Sequence, residues 1–346
     1  MENETSNKND EEKIPALSAG ADKNLLPISI ILAAAILAGA WIYVKTKAPP
    51  QPAAVSESPG IETSCGIENQ NTAAKPAAKK ENSGLSLQEK VLPSGGIVLP
   101  VRWGDLGIKL TGTGVIDLPK LEAIYGARGD LSADLRQLLR ETVDGSIKMT
   151  PRNSGLLLNV FWALGLGNKN PILEQGPMAT YDGFNPKNPE EVLIKAANFA
   201  STGGWTVSKG NPMDHYSRHP FMILTPEQQT LVEKVATGIY RPCCGNSVLF
   251  PDCNHGMAML GLLELLASQG VGEKEMYKIA LQVNAYWFPD TYLTLAKYWQ
   301  TKGVEWNKIN PAEVLGAAYS SGPGYQKILS QVEEVKSEPS GGGCGV

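Results

Sequence analysis

The segment Tyr240–Met259, YRPCCGNSVLFPDCNHGMAM, holds three of the chain's five cysteines and one of its three histidines. Cys243, Cys244 and Cys253 offer thiolates, and His255 offers an imidazole. These four groups alone can complete a four-coordinate shell around zinc or a softer ion such as Cu(I). The spacing is not that of a zinc finger, because no C-x2-C is followed by an H-x3-H pair. Met257 and Met259 come next; thioethers suit Cu(I), but methionines opening an apolar helix read first as core. Upstream, MDHYSRHP sets His215 and His219 four residues apart. On a helical turn they would share a face and could add imidazoles to the same ion, with Asp214 as a ligand or orienting acceptor. All of the chain's histidines fall between residues 215 and 255, so the loop at 211–222 and the segment at 240–257 are expected to form one metal site.

The same cysteines support a second chemistry. Cys253 precedes the apolar run HGMAMLGLLELLASQ, which reads as a helix capped by Asp252 or Asn254. The positive end of a helix lowers a thiol pKa, and the resulting thiolate serves disulfide exchange as well as metal binding. A vicinal Cys243–Cys244 disulfide would be strained and easily reduced. A bridge from either residue to Cys253 closes a loop of about ten residues with less strain. Cys344, in the Gly-rich end SGGGCGV, could act as a mobile thiol that reaches back to this region. A third expectation is a structural or interaction domain whose cysteines form a staple, worth roughly 2–4 kcal/mol.

These residues must be positioned by helices, because helix signals dominate residues 85–332. Asp117 is expected to cap LPKLEAIYG and Ser132 to cap ADLRQLLRETV. Thr150-Pro151, Thr225-Pro226 and Asn310-Pro311 read as helix starts, and Gln228 makes a capping box with Thr225. NPEEVLIKAANFA, EKEMYKIALQVNAYW and TYLTLAKYWQTKG, the last capped by Asp290, complete the set. Strand signals are few, GGIVLPV near 95–101 and SIKMT near 146–150 being the best, so the fold class is mostly α with at most a minor strand pair. Residues 168–188 and 200–222 read as irregular, and Trp103, Trp162, Trp205, Trp287, Trp299 and Trp306 as core.

Outside that domain the chain changes character. Residues 1–24 are polar and acidic and read as a disordered cytoplasmic tail. Leu25–Val44 has twenty residues without a charge, enough for a single transmembrane helix across a bilayer core of about 30 Å. Trp41 and Tyr43 fall where an interfacial belt would be. Residues 45–84 form a Pro/Ala/Ser-rich stalk carrying Cys65, and 333–346 a flexible tail. All five cysteines follow the apolar run, which favours an extracytoplasmic domain on a single-pass anchor. The net charge of −4 gives no basic footprint for nucleic acid. No G-x-S-x-G elbow, phosphate loop or C-x-x-C-H haem site is present.

Residues 233–287 carry a partial resemblance. A helix leads into Arg241 and the Cys243/Cys244 pair, a second helix follows, and EKEMYKIALQVNAYW supplies a third after Gly270 and Gly272. This order resembles the CcmH-type, membrane-anchored thiol oxidoreductases of cytochrome c maturation, whose turn is Arg-Cys-x-x-Cys. The resemblance implies thiol chemistry at Cys243 and Cys244, with another thiol protein as partner. Here the pair is Cys-Cys, a proline separates it from Arg241, and Cys253 and His255 are additional. The expected function is therefore transition-metal binding, zinc or copper, with thiol–disulfide exchange as the alternative.

Overall fold

The structure, a computed structural model, describes residues 85–129, 132–181 and 187–337, all within one unit, Lys79–Val346. The apolar run Leu25–Val44, the stalk with Cys65, and Cys344 lie outside the described residues. Among the described residues, no helix is long and apolar enough to cross a membrane.

A short helix α1 (Leu87–Val91) is followed by strand β1 (Ile97–Gly104), then α2 (Leu106–Thr113), α3 (Leu118–Arg128) and α4 (Ala133–Arg140). Strand β2 (Val143–Met149) pairs antiparallel with β1, with Ile97 opposite Met149. In β1 every second residue is buried, so one face of this two-stranded sheet packs on the core. The next helices are α5 (Ser154–Gly167), α6 (Pro171–Gln175), α7 (Pro177–Thr180) and α8 (Pro189–Ala196). The C-terminal half comprises α9 (Pro226–Gly238), α10 (Asn254–Ser268), α11 (Glu273–Trp287), α12 (Pro289–Thr301), α13 (Pro311–Val314), α14 (Ala317–Ser320) and α15 (Gly322–Leu329). The described unit is mostly α with one minor strand pair.

Helices α5 and α10 are largely apolar and buried on every side, the pattern of a helix at the centre of a core rather than on its surface. They pack against each other where two glycines meet. A Cβ on Gly165 would lie 2.2 Å from the Met257 carbonyl oxygen, and one on Gly261 would lie 2.4 Å from that of Phe161. This close approach fixes α10, and α10 carries the site at its N-terminus.

Local chemistry explains where the elements depart from expectation. Helix α5 starts at Ser154 rather than Pro151, because Thr150 and Asn153 satisfy each other: the Thr150 N–H donates to Asn153 Oδ1 at 2.7 Å. Helix α4 stops at Arg140, since Val143 already belongs to β2. Asp290 does not cap α12; it lies inside the first turn and binds the chain's C-terminal segment instead. The helix expected after Asn310 breaks at Gly316, whose backbone is extended, into α13 and α14. The Thr225/Gln228 capping box of α9 is present. The irregular stretch 168–188 contains the short helices α6 and α7. Trp103, Trp162, Trp205 and Trp287 are buried, while Trp299 and Trp306 are partly buried against the core.

Candidate metal centre

The site is built where the 239–253 turn meets the first turn of α10. The cap of that helix is neither Asp252 nor Asn254 but Cys253 itself, whose Sγ accepts the Gly256 N–H at 3.4 Å. A sulfur in this place feels the positive end of the helix and one of its unpaired amides. His255, in the first turn, is buried at 4% exposure. Its ring lies on Phe288, with centroids 4.3 Å apart, and Trp287 packs edge-on at 6.0 Å.

Cys243 and Cys244 reach the same place on a tight turn after α9. The Arg241 carbonyl accepts the Cys244 N–H at 3.2 Å, and the Cys244 carbonyl accepts the Gly322 N–H at 2.8 Å. Tyr240 N–H donates to the Leu315 carbonyl at 2.8 Å, tying the turn to the end of α13. Cys243 is exposed, and Cys244 and Cys253 are half-buried.

The Sγ atoms of Cys243 and Cys253 are 3.5 Å apart. Those two sulfurs and a His255 ring nitrogen all lie within 4.8 Å of one another. A second group, Cys244, Asp252 and Cys253, meets the same limit, so Cys253 is shared. With a zinc–sulfur bond of about 2.3 Å, two sulfurs on a tetrahedral edge are about 3.8 Å apart. On a linear ion they would be about 4.6 Å apart, twice that bond length. The observed separation is close to the tetrahedral edge, and this cluster could hold a metal ion. All three described cysteines are free of disulfides, and 3.5 Å is far beyond the 2.03–2.05 Å of a disulfide. The expected staple is therefore not formed among them.

A buried arginine orders the cluster. Arg241 is 0% exposed. Its Nη1 donates to the Asn246 carbonyl at 2.8 Å, and its Nη2 donates to Asp252 Oδ1 at 2.8 Å and to Cys253 Sγ at 3.3 Å. Asn246 Nδ2 donates to the other Asp252 oxygen at 2.8 Å. The guanidinium lies against Gly256, where a Cβ would come within 2.7 Å of Nη2. A cation at the positive end of a helix is unfavourable unless anions accompany it, and here Asp252 and the Cys253 thiolate do so.

The thiols differ in acidity. Hydrogen bonds from the Cys243 and Cys244 thiols hold Cys253 far below the usual thiol value, against burial and with help from His255 and Arg241. Cys243 is pushed up, first by its hydrogen bonds to Cys244 and Cys253 and then by burial. The two shifts run in opposite directions, which makes Cys253 the more acidic of the two sulfurs.

The structure places His215 and His219 in a separate arrangement, in neither of the two groups around Cys253. Residues 215–219 form a turn with Ser217 at φ 49°, not a helix. The two rings face each other, His215 Nδ1 and His219 Nε2 being 3.2 Å apart. The Lys209 carbonyl, 3.0 Å from His215 Nε2, can only accept, so that nitrogen carries a proton. Burial, then the charges of His215 and Arg218, lower the His219 pKa. Met257 and Met259 are fully buried in the core. Sequence reasoning missed the roles of Arg241, Asp252 and Gly256. The signal available was a lone Arg beside the cysteines and a Gly in the first turn of the helix.

Comparison with known protein families, with curated proteins and with solved structures returns no match.

Proposed function

We propose that this chain is a membrane-anchored, extracytoplasmic protein that binds one transition-metal ion, zinc or copper, through Cys243, Cys253 and His255. The anchor rests on the uncharged run Leu25–Val44. The metal reading rests on one observation: two sulfurs 3.5 Å apart with a histidine nitrogen inside the same 4.8 Å group. That separation puts zinc ahead of a linear Cu(I) site. The lowered pKa of Cys253 reduces the cost of deprotonating it when an ion binds. The test is elemental analysis of purified protein offered zinc and copper. The wild type retains close to one ion per chain and His255→Ala loses most of it; equal retention by both would exclude His255 as a ligand.

A second reading, thiol–disulfide exchange, is favoured by the unequal acidity of Cys243 and Cys253. The Cys253 thiolate would attack a partner protein's disulfide, forming a mixed disulfide and releasing one partner thiolate. Cys243, after losing its proton to that thiolate, would attack Cys253 Sγ. The new Cys243–Cys253 bond releases the partner's second sulfur, so the partner is reduced by two electrons and this chain oxidised by two. Thiol counting across a range of redox buffers tests it, because metal binding alone gives no two-thiol step.

A further inference from the structure

We propose that a pocket between α6, α8 and the 213–218 turn binds a free apolar amino acid. Arg218 takes its carboxylate, Glu174 its ammonium group, and Val192, Leu193 and Met213 its side chain. These residues line one pocket of about 380 Å³, and none of them belongs to the cysteine cluster. That volume is at the small end of the roughly 300–1,000 Å³ of small-molecule sites, room for a monomer rather than a peptide. The turn that brings the two charges to it is strained. Ser217 has φ 49°, in the left-handed region that glycine enters freely and serine does not. Ser217 N–H donates to the Leu166 carbonyl at 2.9 Å and Arg218 N–H to that of Gly167 at 3.2 Å, which fixes the turn on the end of α5. The buried Ser217 hydroxyl accepts the Asn170 N–H at 3.0 Å and donates to Glu174 Oε1 at 3.2 Å, with the Asn170 carbonyl the more distant acceptor at 3.4 Å. Glycine at 217 would relieve the strain and lose this hold on the carboxylate. Strain kept in this way is characteristic of ligand clamps.

The two charges are left for a ligand. Glu174 and Arg218 line the same pocket without pairing with each other. Among the described residues the Arg218 guanidinium has no hydrogen-bond or ion-pair partner, and Glu174 Oε2 has none either. Arg218 is exposed, and its planar fork suits a carboxylate. Tyr216 adds only its ring, because its hydroxyl donates to the Leu173 carbonyl at 2.7 Å. Val192 is buried, and Leu193 and Met213 are partly buried against the core, so the rest of the wall is aliphatic. This combination selects the ligand class. A simple anion would be repelled by Glu174, and a simple cation by Arg218. A neutral apolar molecule would strip water from both charges and return nothing. A zwitterion with an aliphatic side chain satisfies all three parts of the pocket at once.

Isothermal titration calorimetry of the full-length chain in detergent provides the test, with L-leucine and three analogues that each lack one part. Isopentylamine lacks the carboxylate, 4-methylpentanoate lacks the ammonium group, and glycine lacks the side chain. L-leucine binds, and each analogue binds at least about tenfold more weakly. Arg218→Gln lowers the affinity for L-leucine by a similar factor and does not weaken that for isopentylamine. Glu174→Gln, which keeps an acceptor for Ser217, lowers the affinity for L-leucine and does not weaken that for 4-methylpentanoate. Retained binding of these analogues shows that each variant is folded. No heat with L-leucine in the wild type would overturn the inference. So would an analogue that binds as tightly as L-leucine, or variants that leave L-leucine binding unchanged.

Discussion

Gly256→Ala sets two physical expectations against each other. Intrinsic helix propensity favours alanine over glycine by up to about 1 kcal/mol, so the substitution should stabilise the first turn of α10. The packing predicts the opposite. The new Cβ would come within 2.7 Å of Arg241 Nη2 and 2.8 Å of Cζ. The end of a long side chain can usually move aside, but this guanidinium is fully buried and held by Asn246, Asp252 and Cys253. If it stays, overpacking costs about 1–3 kcal/mol. If it swings away, a buried ion pair breaks at about 3 kcal/mol, the low end of the range because Asp252 is a fifth exposed. Less the propensity gain, the net loss is about 2 kcal/mol, or about 4–8 °C in Tm for a domain of this size. Thermal and urea denaturation with a chelator present measure it free of metal. A variant as stable as the wild type, or more stable, would show that Arg241 is not held as described.

Further variants test neighbouring parts of the account. Arg241→Met leaves Asp252 and the Cys253 thiolate without their cation and lowers stability by about 3 kcal/mol in urea unfolding, with metal affinity falling as well. Cys253→Ala removes the helix cap and a ligand together, costing about 1 kcal/mol in the metal-free protein and abolishing stoichiometric zinc. Glu264, fully buried in the middle of α10, accepts from Asn168 and Asn170, and burial raises its pKa well above 4.5. A carboxyl that holds its proton more tightly when folded makes stability fall as pH rises above about 4.5, because the unfolded chain then binds fewer protons. Glu264→Gln should remove that decline, seen by comparing unfolding free energies of the two proteins from pH 5 to 7; parallel curves would show that Glu264 is not the group responsible.

The parts of this site legible in the sequence were those carried by residue type and short-range pattern. Three cysteines and a histidine within one short segment, followed by a largely apolar helix, were enough to propose a centre at the start of α10. The parts that were not legible depend on how the chain closes on itself. Nothing local marks Arg241 as buried, because its partners Asn246, Asp252 and Cys253 meet it only when the 239–253 turn folds back. Cys253 as its own helix cap was missed because Asp and Asn on either side are better caps by type. The four-residue spacing of His215 and His219 suggested chelation with the cysteines, but the positive φ at Ser217 turns the chain so that the two rings pair with each other. Asp290 looked like a cap, and its actual partner, Ser337, is distant in sequence.

The central claim is that sulfur and nitrogen from Cys243, Cys253 and His255 bind a metal together. X-ray absorption at the zinc edge of the loaded full-length chain tests it most directly. The account predicts a shell of at least two sulfurs at about 2.3 Å and one imidazole nitrogen at about 2.0–2.1 Å, with the nitrogen lost in His255→Ala. A shell of light atoms only, unchanged by that substitution, would contradict it.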